Sequence, residues 1–266
     1  MYETFYGCEK TPFARTIDSA HLYTPPVLEE IIGRLNYAAK RQLFAVFTGE
    51  AGTGKTATLR RFKDQLPLGR YQVFYLSDSK LTPRHFYKGL LEQIGCEAKF
   101  YRGDAKRQLH REIELMQGIH HLKPVVIVDE AHLLDREMLE EVRSLLNVQM
   151  DSLSPMTLIL SGQSELWDRL KLQSFAAIRQ RIDMVCRLSP YDRAQTGIYL
   201  KKHLSAAGTG RDIFSEAAID VIYTYSGGIA RLINKAATNC LIYGAQSQKP
   251  IIDDHMVKLV IGSEMV

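Results

Sequence analysis

The chain has few cysteines, and their spacing excludes the sites that cysteines usually build. Four occur in 266 residues, and no two of them form a C-x-x-C pair or a metal-ligand spacing. We therefore expect reduced thiols, mostly in the interior, rather than disulfides or a zinc site. The four are Cys8, Cys96, Cys186 and Cys240.

Long apolar runs are also missing. No stretch reaches membrane-spanning length, and the start, Met1 to Phe5, lacks the basic and then apolar pattern of a secretory signal. The sequence therefore predicts a cytoplasmic protein without a membrane partner. The formal net charge of +4 is compatible with a polyanionic partner but does not indicate one. With 45% hydrophobic and 24% charged residues, the composition suits a globular core with a smaller appendage.

One octapeptide matches every fixed position of the phosphate-binding loop G-x-x-x-x-G-K-[ST]. It lies between an apolar, β-rich run at 43–48 and a helical run that starts at Ala57. Glycines let consecutive backbone N–H groups and the positive end of the following helix point at phosphates. The lysine adds a charge at the β and γ phosphates, and the threonine hydroxyl is a ligand for Mg²⁺. The loop therefore predicts binding of ATP and Mg²⁺ by Gly49, Glu50, Ala51, Gly52, Thr53, Gly54, Lys55 and Thr56.

A buried-strand run at 124–128 ends in two carboxylates, Asp129 and Glu130. This is the pattern of a Walker B strand, in which Asp129 holds magnesium through water and Glu130 polarises the water that attacks the γ-phosphate. The alternative is an ordinary strand followed by a solvated acidic turn. Beside a complete phosphate loop, the acidic pair favours ATP hydrolysis over kinase-type transfer, so the sequence predicts an ATPase.

Strand and helix patterns alternate up to about residue 189, and only helices follow. Such alternation predicts an α/β fold with a doubly wound parallel sheet and a ligand at the carboxyl ends of its strands. We expect a nucleotide-binding core over residues 1–189 and a small helical lid domain over 190–266. The predicted strands are 43–48, 71–76, 124–128, 156–161 and 183–188. The predicted helices include 83–94, 104–120 and 135–150 in the core, and 193–206, 215–225, 229–243 and 253–261 in the lid.

Together these elements resemble an AAA+ ATPase. They are a phosphate loop, a strand ending in Asp-Glu, a later strand ending in polar residues, an arginine before the last strand, and a helical domain carrying Gly-x-x-Arg. Further segments resemble the ExeA-like group, which contains the ExeA secretion ATPase and transposon ATPases related to TniB, TnsC and, more distantly, MuB and IstB. The resemblance covers almost the whole chain. Its segments are Phe13 with Asp18 and Leu22-Tyr23, then 47–56, 162–166, 178–182 and 226–234.

The resemblance implies roles for side chains outside the two motifs. Gln163, with Ser161 as the alternative, falls at the first sensor, which orients the lytic water; a strand-end residue capped by solvent is the other interpretation. Arg231 matches the second sensor, which ties the lid to the γ-phosphate. Tyr191, just after Pro190 at the hinge, would pack on adenine, although a tyrosine at such a place is more often hinge core.

An arginine finger is also implied. Arg181 falls at its position, from which the side chain reaches the γ-phosphate on the neighbouring subunit and stabilises transition-state charge. Arg179 is the alternative, and a solvated basic helix face would account for either residue. A finger acting between subunits implies a homo-oligomer, either a ring or a helical filament, with the nucleotide at subunit interfaces.

The four letters at 129–132 also spell the signature of a helicase family. The chain is too short for two helicase core domains, and a helical lid with Gly-x-x-Arg does not belong to that fold. We therefore interpret His132 as a turn or helix-start residue rather than a catalytic one.

The most concentrated basic region is 80–111, where cations are interleaved with aromatic residues. A ring or helix of subunits presenting this face inward would line a channel that suits the phosphates of duplex DNA, and in the related transposition ATPases the corresponding region faces DNA. A solvated helix face is the alternative. Because no sequence-reading motif is present, DNA contact should be nonspecific and salt-dependent, with Lys99, Arg102 and Lys106 as the predicted residues. The other cations are Lys80, Arg84, Lys88, Arg107 and Arg111.

The leading hypothesis is an ATP-dependent DNA-binding regulator of transposition, which assembles on target DNA with ATP, engages a transposase and disassembles on hydrolysis. A secretion-assembly ATPase like ExeA is the first alternative. Those proteins carry a membrane span and a cell-wall-binding region after this core, and neither pattern is visible in the sequence. The second alternative is a helicase-loader-like switch that binds ATP without appreciable turnover.

Overall fold

A computed structural model describes residues 2–14, 17–78, 81–146 and 154–264. They form two compact units. The first unit comprises Met1–Leu28, Glu50–Ala57 and Ser189–Val266, and the second comprises Glu29–Gly49 and Thr58–Leu188. The first 28 residues and most of the phosphate loop are thus grouped with the C-terminal helices, while the division into domains 1–189 and 190–266 stays a prediction.

The second unit contains a five-stranded sheet. Its strands are β1 (Phe44–Gly49), β2 (Tyr71–Leu76), β3 (Lys123–Val128), β4 (Thr157–Gly162) and β5 (Met184–Leu188). All neighbours are parallel, in the order β2-β3-β4-β1-β5. Val128 pairs with Leu160 and Thr48 pairs with Gly162, so the carboxyl ends of β3, β4 and β1 meet at one edge. The predicted α/β fold with a parallel sheet is confirmed.

Across the described ranges the helices connect these strands and then form the C-terminal segment. They are α1 (Tyr2–Tyr6), α2 (Pro26–Arg41), α3 (Lys55–Gln65), α4 (Pro83–Ile94), α5 (Arg102–Gly118), α6 (Arg136–Leu145), α7 (Ser164–Lys171), α8 (Ala176–Arg179), α9 (Arg193–Ala206), α10 (Glu216–Ser226), α11 (Ala230–Gln246) and α12 (Asp254–Glu264). The predicted continuation of α6 to Met150 falls on 147–150, outside the described residues. Of the helices in those ranges, none combines the length and apolar character that crossing a membrane requires.

The three inner strands, β1, β3 and β4, are buried on both faces, as expected for a parallel sheet covered by helices, whereas the edge strands β2 and β5 are partly exposed. Alternate strand residues such as Val46, Val126 and Leu158 share one core with the apolar sides of α4, α5 and α6. Local signals fix the ends of α4: the Thr82 side chain accepts a hydrogen bond from His85 N–H at 3.4 Å, and Gly95 ends the helix at φ 94°. These helices therefore pack against the sheet through this shared core.

In the first unit, the N-terminal segment packs against the C-terminal helices. Tyr6 Oη donates to the Lys249 carbonyl at 3.0 Å, and the Glu9 amide donates to the Ala207 carbonyl at 2.7 Å. The His203 ring is stacked parallel to Phe13 with 5.4 Å between centroids, and burial lowers the pKa of His203 to about 4. The N-terminal segment is therefore part of the same apolar core as the four predicted lid helices, all of which are present.

Candidate nucleotide-binding and hydrolysis residues

The phosphate loop runs from the end of β1 to the start of α3, and two of its side chains donate hydrogen bonds to the same backbone carbonyl. Lys55 is only 7% exposed, and its Nζ donates to the Glu50 carbonyl at 2.9 Å. Thr53 Oγ1 donates to the same carbonyl at 2.8 Å. Gly52 and Gly54 adopt φ values of 84° and 104°, which glycine reaches without strain. The loop thus combines the first backbone N–H groups of α3 with the buried Lys55 side chain. Both kinds of group bind phosphate.

Arg231 lies beside this loop, within the same unit. It occupies the first turn of α11, and its backbone N–H donates to the Gly52 carbonyl at 3.0 Å. A Cβ at position 52 would lie 2.9 Å from the Arg231 Cβ and 3.1 Å from Ile229 Cγ2, so only glycine fits there. Thr56, a predicted magnesium ligand, is exposed at the start of α3. The predicted second sensor and the phosphate loop are therefore in direct backbone contact.

Tyr191 is held in an aromatic cluster. Its amide donates to the Gly228 carbonyl at 2.9 Å, and a Cβ at Gly228 would approach the Tyr191 carbonyl oxygen to 1.8 Å. The ring centroids of Tyr23 and Tyr199 lie 5.6 and 5.2 Å from that of Tyr191. Burial raises the pKa of Tyr191. This packing is what hinge core would show, and contact with adenine stays a prediction.

In the second unit, Asp129 follows β3 and is fixed by hydrogen bonds to both of its carboxylate oxygens. Oδ1 accepts from Ser161 Oγ at 2.8 Å and from the Glu130 amide at 3.0 Å, while Oδ2 accepts from Tyr75 Oη at 2.8 Å. Burial and the hydrogen bond to Asp129 raise the pKa of the Tyr75 phenol, which keeps it a donor. Asp129 is 3% exposed. The carboxylate is thus oriented at the strand tip, as a water-mediated magnesium ligand would be.

Tyr75 was not among the predicted site residues. It is the next-to-last residue of β2, the strand that pairs with β3, and Tyr75 pairs with Ile127. A polar side chain at the end of a strand adjacent to the Walker B strand was the available signal.

Glu130 has a different environment from Asp129. Its backbone is left-handed, with φ 53°, and its side chain is 46% exposed. Glu130 precedes a short 3₁₀ turn, Ala131–Leu133. The carboxylate Oε2 lies 3.4 Å from His132 Nδ1. Water can therefore reach the predicted general base, whereas the aspartate before it is sealed.

The two predicted alternatives for the first sensor have different partners. The Ser161 hydroxyl donates a hydrogen bond to Asp129, while the side-chain nitrogen Nε2 of Gln163 lies 3.1 Å from His132 Nε2. His132 does lie in a turn, as predicted, but it also bridges Glu130 and Gln163. Both sensor assignments stay predictions.

The two candidates for the arginine finger, Arg179 and Arg181, lie in different places. The Arg179 guanidinium donates to the carbonyls of Leu170 and Lys171, where α7 ends. Such contacts tie this side chain to its own subunit. Arg181 lies in the turn before β5 and is half-buried. The choice between Arg181 and Arg179, and the finger role itself, stay predictions.

The predicted DNA-contacting cations fall into two groups. Arg102 pairs with Glu137 at 2.9 Å and with Glu141 at 3.1 Å, and Lys106 pairs with Glu141 at 3.2 Å. Although burial alone would raise the pKa of the Glu141 carboxyl, hydrogen bonds from Tyr87 and Lys106 lower it overall. Lys99 is exposed. Two of the three predicted cations are therefore paired with carboxylates of α6, of which Glu141 is buried and Glu137 is exposed.

Next to Lys99, two aromatic side chains project into solvent. Phe100 is 67% exposed and Tyr101 is 70% exposed, and the Arg84 guanidinium lies 4.3 Å from the Phe100 ring centroid. Lys80 of the same basic stretch lies outside the described residues. Together Arg84, Lys99, Phe100 and Tyr101 form what we call the aromatic–cationic patch.

Residues 38–170, half of the chain, match the AAA domain family. The chain belongs to the AAA+ ATPase family. General secretion pathway protein A of Aeromonas hydrophila is 31% identical over 250 residues, which are 91% of this chain and 44% of that protein. The AAA+ ATPase described here thus falls in the ExeA-like group and spans less than half of that relative. The predicted family and the predicted ATPase class are confirmed.

Solved structures share the AAA+ fold at low identity. Cdc6p from Pyrobaculum aerophilum has a TM-score of 0.67 at 19% identity, over 90% of this chain and 67% of that one. Drosophila ORC bound to DNA has a TM-score of 0.69 at 17% identity, over 100% of this chain and 66% of that one. The RuvB branch migration motor of Thermotoga maritima has a TM-score of 0.61 at 15% identity, over 97% and 72%. These likenesses establish the fold alone.

Proposed function

We propose that this AAA+ ATPase is a cytoplasmic, ATP-dependent regulator of transposition, which assembles on duplex DNA and engages a transposase. The observation that carries the proposal is the aromatic–cationic patch, in which solvent-facing rings stand beside Arg84 and Lys99. Exposed cations beside these rings suit a polyanion such as duplex DNA. The fold likeness to a DNA-bound ORC supports the same interpretation.

The phosphate loop and the Walker B motif imply the nucleotide cycle. The phosphate loop amides and Lys55 would hold the triphosphate, and Thr56 and, through water, Asp129 would hold the magnesium ion, which would offset charge on the phosphates. Glu130 takes a proton from the attacking water, and Gln163 orients that water. Arg231 and the finger of a neighbouring subunit stabilise charge on the γ-phosphate. Assembly therefore accompanies ATP binding, and hydrolysis releases the subunits, slowly unless DNA or a partner stimulates it.

The finger assignment predicts complementation between subunits. Arg181→Ala should lower kcat at least ~100-fold, because an arginine finger contributes 10³–10⁵ where it has been removed. Mixing this variant with Glu130→Gln, which keeps its finger and should bind ATP, should restore turnover, since about a quarter of the interfaces in a 1:1 random oligomer would then join an intact base to an intact finger. Steady-state phosphate release measures both effects, with Arg70→Ala as an exposed-arginine control. If mixing restores nothing, the finger does not act between subunits.

The DNA proposal predicts a change in salt dependence. Because Lys99 is exposed, Lys99→Gln should reduce the slope of log K against log salt by about 0.9, which is one phosphate contact. Fluorescence anisotropy with labelled duplex, at several salt concentrations and with a nonhydrolysable ATP analogue, measures the slope. Lys63→Gln, on an exposed position of α3, is the matched control. An equal slope in the Lys99 and Lys63 variants would show that the patch is only surface.

A second candidate is an ATPase of secretion assembly, and the 31% identity to General secretion pathway protein A favours it. The two candidates differ in their polymer. A regulator of transposition should form ATP-dependent rings or filaments on linear duplex in electron micrographs, whereas a secretion-assembly ATPase should show the same oligomers with and without duplex. Single-turnover hydrolysis separates both from a switch that binds ATP without turnover.

A further inference from the structure

His132 lies between two residues that the proposed hydrolysis step uses. Its Nδ1 is 3.4 Å from Glu130 Oε2, and its Nε2 is 3.1 Å from the side-chain nitrogen Nε2 of Gln163. The resemblance to AAA+ ATPases gives this histidine no role. Its two ring nitrogens nevertheless contact the predicted general base on one side and the predicted first sensor on the other.

The backbone of His132 is fixed from two directions. The Arg169 guanidinium donates to the carbonyls of His132 at 2.7 Å and of Leu134 at 2.8 Å. On the other side, a Cβ at Gly162 would lie 2.9 Å from the His132 amide nitrogen, so glycine at the end of β4 lets the turn approach. The His132 backbone is therefore held in place independently of the Glu130 side chain.

One protonation pattern satisfies both ring contacts. A neutral imidazole with its proton on Nδ1 faces Glu130 Oε2 across 3.4 Å, a long contact that a small movement of the carboxylate would close, and its bare Nε2 accepts from the Gln163 side-chain N–H at 3.1 Å. The competing contact is the Gln163 backbone N–H, 3.5 Å from Nδ1, which needs the opposite tautomer. The ring therefore presents a proton to Glu130 in the Nδ1–H tautomer and none in the Nε2–H tautomer. The hydrogen bond from the Gln163 side chain favours the Nδ1–H tautomer.

Glu130 needs such a partner. Its side chain is half exposed, so without a contact the carboxylate would sample several rotamers, and a general base must be held within hydrogen-bond reach of its water. We propose that His132 is a positioning residue, which holds the Glu130 carboxylate through Nδ1–H while Gln163 fixes Nε2. The base and the sensor are then oriented together. This inference rests on the proposed role of Glu130 in hydrolysis.

The test compares three replacements of His132 by their kcat and KM for ATP. His132→Ala should lower kcat by ~10-fold, a fraction of the 10²–10⁴ that a general base contributes, with KM unchanged within ~2-fold. His132→Asn should recover most of kcat, because its amide nitrogen lies near the position of Nδ1. His132→Gln, whose amide reaches the position of Nε2, should not. A merely structural histidine would not distinguish the last two variants.

A double-mutant cycle checks that His132 acts through Glu130. In the Glu130→Gln background, His132→Ala should cause no further loss of kcat, because the base is already gone. His120→Ala, at an exposed histidine after α5, is the control for loss of an imidazole, and thermal melting verifies that each variant folds. An unchanged or raised kcat in His132→Ala, equal kcat in the asparagine and glutamine variants, or additive losses would each overturn the inference.

The same experiment separates this inference from the proposed function. Normal turnover in Glu130→Gln would remove the base role and the inference with it. A stalled Glu130→Gln beside a fully active His132→Ala would overturn only the positioning role.

Discussion

Replacing Lys55 with alanine is expected to raise the dissociation constant for ATP by at least ~100-fold, which corresponds to about 2.7 kcal/mol. The ammonium is 7% exposed and is held over the loop by the Glu50 carbonyl. Its charge is therefore already desolvated and oriented before any phosphate arrives, and such a charge contributes more to binding than one in water. Backbone amides alone would remain in the variant.

Titration with a fluorescent ATP analogue measures this effect. Lys63→Ala, an exposed lysine on the same helix α3, provides the control for loss of a lysine, and it should bind ATP as the unmodified protein does. Because Lys55 is buried, the melting temperature without nucleotide shows whether the variant is folded. Unchanged affinity in a folded Lys55→Ala protein would contradict the assignment of the phosphate loop.

The second large effect is expected for Glu130→Gln, which should bind ATP normally and lower kcat at least ~100-fold. The amide keeps the size of the side chain but does not accept a proton from water. Because the step after binding is blocked, the ATP-bound oligomer should accumulate. The left-handed backbone at Glu130 is unaffected by a change beyond Cγ, so the fold should be retained.

Single-turnover hydrolysis and size-exclusion chromatography with ATP measure these two consequences. Glu114→Gln, at an exposed position of α5, is the control for loss of a carboxylate. A Glu130→Gln protein that turns over at the normal rate would exclude Glu130 as the base. One that stalls without forming a larger oligomer would separate hydrolysis from assembly.

Short-range patterns predicted most of the fold. Each strand was found within one residue of its predicted ends, because strands of a parallel sheet are runs rich in apolar and β-branched residues, bounded by turns. The phosphate loop and the Asp129–Glu130 pair were recognisable for a similar reason: their chemistry lies in contiguous residues. The helices α2 and α7 were not predicted. Both are amphipathic, with one face buried and the other exposed.

Contacts between distant parts of the chain were beyond the reach of these patterns. Tyr75 meets Asp129 across 54 positions, and Gln163 meets His132 across 31. Similarly, a count of cations at 80–111 gives no sign that Glu141 on α6 neutralises Arg102 and Lys106. Side chains on neighbouring strands and helices come together only once the sheet order is known, and that order was not specified by the sequence alone.

The hydrogen bond between the Arg231 amide and the Gly52 carbonyl joins the loop to α11 through main-chain atoms only. Truncating the Arg231 side chain therefore deletes a charge but leaves the mechanical linkage intact. Under the proposed role of Arg231, nucleotide state would reach α11 by two separable routes, one through the Arg231 charge and one through this main-chain hydrogen bond. A substitution at Gly52 would disturb this main-chain contact, because a Cβ there would lie 2.9 Å from the Arg231 Cβ. Among replacements at position 231, only proline would remove the N–H that donates to Gly52.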